Sequence, residues 1–213
     1  GTTTQIHIPW EVTKLPEGRY ELRAIGYDAD GNATTEPHII TVIVDHTEPI
    51  VSSVKMMVNA DPSDANFELT IYPGTALYRY KNGTRYYNAR FEAKVDSTDP
   101  VDKVEAKRVV LQYFDRTSLQ WVTVKVDSNN DGKITDADDD ALFSYSKVTD
   151  IWSRDFDIAT LVGNTFIPKD GLGDLMIRNG DGKIWLRILA TDYAGNKNSL
   201  DKGFELLADA NAP

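Results

Sequence analysis

The stretch Gly18-Arg19-Tyr20-Glu21-Leu22-Arg23-Ala24-Ile25-Gly26-Tyr27-Asp28-Ala29-Asp30-Gly31-Asn32 occurs again, altered, 164 residues further on. There it reads Gly182-Lys183-Ile184-Trp185-Leu186-Arg187-Ile188-Leu189-Ala190-Thr191-Asp192-Tyr193-Ala194-Gly195-Asn196. Gly, Leu-Arg, Asp and Gly-Asn coincide, and several other positions exchange like for like. The same spacing, without a gap, lays Asp45 over Asp209 and Pro49 over Pro213. Upstream, Trp10-Glu11-Val12-Thr13-Lys14-Leu15 matches Phe156-Asp157-Ile158-Ala159-Thr160-Leu161 at a spacing of 146, which implies an 18-residue insertion within 162–181. Turn chemistry reused by chance gives short matches, whereas a gap-free match ending on the same proline marks a tandem repeat. The repeat predicts a boundary near Pro49. Residues 1–49 are expected to be the closing strands of a first domain, incomplete here, and 50–213 a complete and enlarged second domain. The chain is expected to be an excerpt from a longer array.

Local signals are β throughout. Arg19–Tyr27 and Lys183–Thr191 alternate apolar residues with polar or small ones and are rich in aromatic and branched types. Further strand-like runs lie at Gln5–Trp10, Ile39–Val44, Val51–Val58, Phe67–Tyr72, Tyr86–Val95, Arg108–Phe114, Gln120–Val126, Ala141–Val148 and Phe204–Leu207. Turn clusters separate them, among them Tyr27–Asn32, Lys81-Asn82-Gly83, Asp96–Pro100 and Lys169–Gly173. Asn82-Gly83 predicts a tight hairpin over Arg79–Tyr87. Short strands at this spacing predict an all-β protein of sandwich type.

The residues Leu22–Asn32 and Leu186–Asn196 resemble the penultimate-strand signature of bacterial and archaeal immunoglobulin-like repeats. Val44-Asp45-His46-Thr47-Glu48-Pro49 resembles the short linker between such repeats. The family is similar to fibronectin type III domains and occurs in surface-layer (S-layer) proteins, adhesins and secreted polymer-degrading enzymes. The resemblance implies tandem immunoglobulin-like β-sandwiches, the second enlarged by insertions. It covers about the closing third of each copy and speaks to fold more than to function.

Composition narrows the function classes. The net charge is −10, with 23 basic and 33 acidic side chains, which disfavours binding to phosphate backbones and anionic lipid. Cysteine is absent, which removes disulfides, thiolate zinc sites and a Cys nucleophile. Three histidines, His7, His38 and His46, are a thin supply for general-base chemistry. Apolar runs are of strand length, so no membrane insertion by helices is expected. No Gly-x-Ser-x-Gly, His-Glu-x-x-His or phosphate loop occurs. Carboxylates abound, but sequence alone cannot set two of them at glycosidase separation. The expectation is a non-catalytic chain.

The sharpest chemical motif is Asp127-Ser128-Asn129-Asn130-Asp131-Gly132-Lys133-Ile134-Thr135-Asp136-Ala137-Asp138. It resembles the calcium loop of EF-hands and dockerins. Ca²⁺ takes six to eight oxygens, and a 12-residue loop can wrap one ion with them. Asp127, Asn129 and Asp131 offer side-chain oxygens, Lys133 its carbonyl, Thr135 a direct or water-mediated contact, and Asp138 closes the shell. Gly132 permits the sharp turn, and Ile134 pins the loop to the core. The run before the loop is strand-like and only one such loop is present, so docking to a cohesin is not expected. Six aspartates within 127–140 repel one another unless a cation intervenes. The alternative is a solvated acidic loop of turn formers.

A weaker metal candidate joins Asp28, Asp30 and Asn32 to Asp45, with Asp192 and Asn196 near Asp209 in the second copy. Ala190–Asn196 resembles the calcium-ligating segment of cadherin repeats, although Asp45–Pro49 departs from the cadherin linker. The alternative is a hairpin turn that uses Asp, Gly and Asn for geometry. Tyr78, Tyr80, Tyr86 and Tyr87 around the Asn82-Gly83 turn are candidate glycan contacts, with cross-strand pairing as the plainer reading. Trp10, Trp121, Trp152 and Trp185 are expected as core or inter-sheet fillers. Asn32-Ala33-Thr34 and Asn82-Gly83-Thr84 are glycosylation sequons. These readings favour an extracellular, Ca²⁺-stabilised spacer of a prokaryotic surface protein. Its partners would be neighbouring domains of the same polypeptide, other surface subunits or polysaccharide. The competing readings are an accessory, glycan-binding module of a secreted protease or glycosidase, and a segment of an adhesin.

Overall fold

The computed structural model describes residues 7–59, 69–73, 76–78, 88–96, 106–126, 140–157, 159–162, 165–168, 182–200 and 203–208. Among them the only regular elements are strands. In chain order these are β1 (Gly18–Arg23), β2 (Ile39–Val44), β3 (Ile50–Asn59), β4 (Leu69–Ile71), β5 (Ala76–Tyr78), β6 (Asn88–Asp96), β7 (Ala106–Asp115) and β8 (Gln120–Thr123). There follow β9 (Ser144–Ser146), β10 (Ile151–Asp157), β11 (Ala159–Val162), β12 (Thr165–Pro168), β13 (Gly182–Asp192), β14 (Lys197–Ser199) and β15 (Phe204–Ala208). The all-β expectation therefore holds. The strand-like signals at residues 7–10, 24–27, 124–126, 141–143 and 147–148 are not strands, and β5, β10, β11, β12 and β14 lie outside the expected runs.

Two sheets share one core. One has the order β4-β3-β6-β10-β9, the other β5-β15-β13-β7-β8 with β14 also on β13. Alternation makes the core: Val109 and Leu111 of β7, Ile184, Leu186 and Ile188 of β13, and Ala89, Phe91 and Ala93 of β6 are buried. Phe91 meets Phe156 of its own sheet and Phe204 of the opposite one edge-on, both with ring centroids 5.5 Å apart. In β3 the buried positions run Val51, Val54, Met56, Val58. The change of parity is a β-bulge, since Ser52 pairs with Lys94 and Lys55 with Glu92, leaving two residues opposite Ala93.

β1 and β2 form a separate two-stranded sheet, and their register repeats that of β13 and β15. Gly18 faces Val44, Tyr20 faces Val42 and Leu22 faces Ile40. At a spacing of 164, Gly182 faces Ala208, Ile184 faces Leu206 and Leu186 faces Phe204. Beyond the strands, Tyr27 bridges Ala33 as Thr191 pairs with Lys197. Burial, however, differs. Phe204 is 1% exposed while its counterpart Ile40 is 49% exposed, because β13 also pairs with β7 under an opposing sheet and β1 pairs, among the described residues, with β2 alone.

The segment after residue 139 crosses between sheets. Phe143 N–H donates to the Val109 carbonyl at 2.9 Å, and Ser144–Ser146 then joins β10 in the other sheet. This crossing closes the sandwich beside β7 and carries Ala141 and Phe143 into the core.

Equivalent truncations in the two hairpins separate them energetically. Phe204→Ala should cost about 3–5 kcal/mol, and Ile40→Ala no more than about 1 kcal/mol. Urea unfolding followed by tryptophan fluorescence measures both.

Candidate metal centre and domain joint

The loop 127–138 lies outside the described residues, but its stem does not. Residues 126 and 140 flank the loop, and Lys125 and Asp140 face each other as an antiparallel bridge. Val124 N–H donates to the Leu111 carbonyl at 2.9 Å, and Ala141 N–H to the Val124 carbonyl at 3.1 Å. Val124 and Ala141 are fully buried, and Val126 nearly so. The chain thus leaves the core and returns to it within one strand spacing, which removes much of the entropic cost of closing a loop. Asp140 itself is neutralised by the stem: Lys125 Nζ lies 2.6 Å from its Oδ1, and the Arg108 guanidinium pairs with its Oδ2. The other five aspartates of 127–140 fall outside the described residues.

Of the second candidate group, Asp209 lies outside the described residues, and the described members of the first copy do not gather. Asp28, Asp30 and Asn32 share the hairpin tip. Asp28 Oδ1 accepts the Asp30 and Asn32 backbone N–H groups at 3.0 and 2.8 Å, and Oδ2 accepts Asn32 Nδ2 at 2.9 Å. Gly31 takes φ +85°, the left-handed geometry that suits glycine. The Asn32 bonds, followed by the backbone N–H groups, hold the Asp28 carboxyl below its ordinary range. Asp45 sits at the hairpin foot, roughly 30 Å away along the strands. Among the described residues, no three His, Cys, Asp or Glu side chains come together as a metal cluster.

The second copy builds a similar turn. Asp192 Oδ1 accepts the Gly195 and Asn196 N–H groups at 2.6 and 2.9 Å, Oδ2 accepts Asn196 Nδ2 at 3.0 Å, and Gly195 has φ +99°. Here the turn has a further task. Asn196 Nδ2 also donates to the Asp45 carbonyl at 3.1 Å, so the turn after β13 holds the segment that follows β2. The link is from one copy's foot to the next copy's turn, where the sequence grouped residues within a copy.

The rest of the linker is fixed from the other side. Glu17 Oε1 accepts the His46 backbone N–H and the Thr47 hydroxyl, both at 2.8 Å. Asp45 Oδ1 accepts Thr47 N–H at 2.8 Å, and His46 Nε2 lies 3.1 Å from the Leu15 carbonyl. Val44, Asp45 and Pro49 are buried. The Thr47 hydroxyl first, then the His46 N–H, hold the Glu17 carboxyl below its ordinary value. Sequence reading missed Glu17, although an acid just before a strand and 29 residues from a linker gives no local signal.

The aromatic candidates divide. Tyr78 ends β5, and Tyr80, Tyr86 and Tyr87 lie outside the described residues. Of the tryptophans, Trp152 packs against the core as expected. Trp121 and Trp185 do not: they stand on the outer sheet face, in a row with Phe114 at centroid distances of 5.5 and 5.8 Å. Arg187 covers Trp121 at 4.3 Å and Arg116 covers Trp185 at 5.1 Å, so both rings carry a guanidinium. Trp10 is 39% exposed and meets Tyr20 edge-on.

No protein-family model matches the chain, and no curated protein matches its sequence. Among the described residues no helix is long and apolar enough to cross a membrane.

Removing the buried Asp192 carboxylate takes away three hydrogen bonds, so Asp192→Ala should cost about 2–3 kcal/mol. Asp28→Ala, at a solvated turn, should leave the melting temperature almost unchanged. Glu17 adds a pH dependence. Its folded-state value is lowered, so its contribution is present above the ordinary 4.5 and is lost as pH falls through the lowered value. Exchange of the His46 amide, corrected for its intrinsic rate, should accelerate over that acid range and do so less in Glu17→Gln.

Proposed function

We propose that this chain is a non-catalytic spacer from a prokaryotic cell-surface protein of S-layer type, built of tandem immunoglobulin-like β-sandwiches and stabilised by Ca²⁺. The observation that carries this reading is the joint: one hairpin repeats the register of another, and the linker after the first is bonded to the turn of the second. A module whose neighbour is gripped by side chains transmits force and orientation along a chain, which is what a spacer requires. The surface supports it too. Its net charge of −10 suits an extracellular position and gives a cation something to offset.

Calcium would act on the loop 127–138. The buried stem at Val124 and Ala141 supports this role, because a loop already closed at its base needs only the ion to order the acids above. Asp127, Asn129, Asp131, Lys133, Thr135 and Asp138 are the proposed ligands, and Asp140 is assigned to the stem. An ion that binds the folded state alone, at a hundred times its dissociation constant, adds about 2.7 kcal/mol. For a chain of this size that is a rise of roughly 5–10 °C in melting temperature.

Differential scanning calorimetry in Ca²⁺ and in excess chelator tests the proposal. The wild type should show that rise, and Asp131→Ala should abolish it. A melting temperature indifferent to chelator, with Asp131→Ala equally silent, sinks the calcium assignment.

A further inference from the structure

The face of the five-stranded sheet carries a groove of about 540 Å³ that the spacer role does not use. Ser53, Lys55, Tyr72, Glu92, Lys94 and Asp150 line it. That volume falls within the range of ligand clefts, about 300–1,000 Å³. The groove exists because β3 bulges opposite Ala93, which lifts Ser53 out of the ladder. Ser53 has φ +50° and Asp150, across the groove, φ +56°, both in left-handed geometry that L-residues adopt at a cost.

We propose that this groove binds an uncharged carbohydrate, with one sugar ring lying against Tyr72 and its hydroxyls meeting the charged floor. Three features select that chemistry. First, the charges come in matched pairs: Lys55 lies 2.9 Å from Glu92, which Arg90 also contacts at 2.9 Å. Lys94 lies 3.3 Å from Asp150, and Tyr145 donates to Asp150 at 2.8 Å. The lining thus holds two cations and two anions, so an ionic ligand would meet as much repulsion as attraction. Neutral hydroxyls can both donate to the carboxylates and accept from the ammonium groups.

Second, Tyr72 is 61% exposed at the groove edge, an aromatic face free to take the apolar side of a pyranose. Third, β6 runs between β3 and β10, and Glu92 is paired on both sides, with Lys55 and with Ser153. A ligand over Glu92 therefore meets side chains rather than an open ladder.

The inference goes beyond the spacer reading and does not depend on it. The test is protein-observed NMR with cello-, manno- and malto-oligosaccharides as neutral probes and oligogalacturonate as the charged one, each up to about 10 mM. Expected are saturable shifts at the Ser53, Glu92 and Asp150 amides with at least one neutral probe. Tyr72→Ala should weaken that binding roughly five- to tenfold. Tyr72→Phe should retain it, and Tyr193→Ala, exposed on the other sheet, should leave it unchanged. Melting temperatures of the variants confirm that the exposed substitutions leave the fold intact. Absence of shifts with every neutral probe overturns the proposal. So does binding unchanged by Tyr72→Ala, or a preference for oligogalacturonate.

Discussion

The bond from Asn196 to the segment after β2 depends on one buried carboxylate. Asp192, 2% exposed, accepts three N–H groups from Gly195 and Asn196, and so fixes where the Asn196 amide points. That amide has one donor left, and it goes to Asp45. At Asp28 the equivalent carboxylate closes its turn in solvent, with the Asp30 N–H in place of the Gly195 one. A burial difference between the two turns therefore separates one that only reverses the chain from one that also holds the segment after β2. Because the Asp192 carboxylate is removed from water, losing its bonds there is costly, and the turn cannot easily rearrange.

The joint works from both sides. Glu17, at the start of the first hairpin, takes the His46 and Thr47 donors, while Asn196 takes the Asp45 carbonyl. Buried Pro49 then fixes a backbone angle before β3 begins. A linker of this kind has few free torsions. The acidic loop follows the same logic on another scale: the sandwich buries its stem, and the loop chemistry is carried on a closed base.

Much of the fold could be read from the residues. Arg19–Tyr27 and Lys183–Thr191 read as strands followed by matching turns, and the registers of the two pairs repeat position by position. Val51–Val58 reads as one strand, but its bulge does not show there, because Met56, Met57 and Val58 are apolar on both parities and only the pairing with β6 reveals the shift. The faces of the tryptophans could not be read so easily. Trp185 sits between Ile184 and Leu186, all three apolar, and only pairing with β7 tells which of them turns outward. The groove was hidden because Tyr72, Glu92 and Asp150 belong to separate strands and turns. The link from Asn196 to Asp45 spans 151 residues, and the sequence paired Asp45 with its own copy because the repeat was the only guide.

The central claim is that residues 45–49 form a stiff joint held by Glu17 and Asn196. Backbone ¹⁵N relaxation at His46 and Thr47 tests it most directly. The account predicts order parameters like those of the adjoining strands, about 0.85, falling in Asn196→Ala. Values below about 0.6 in the wild-type chain would contradict it.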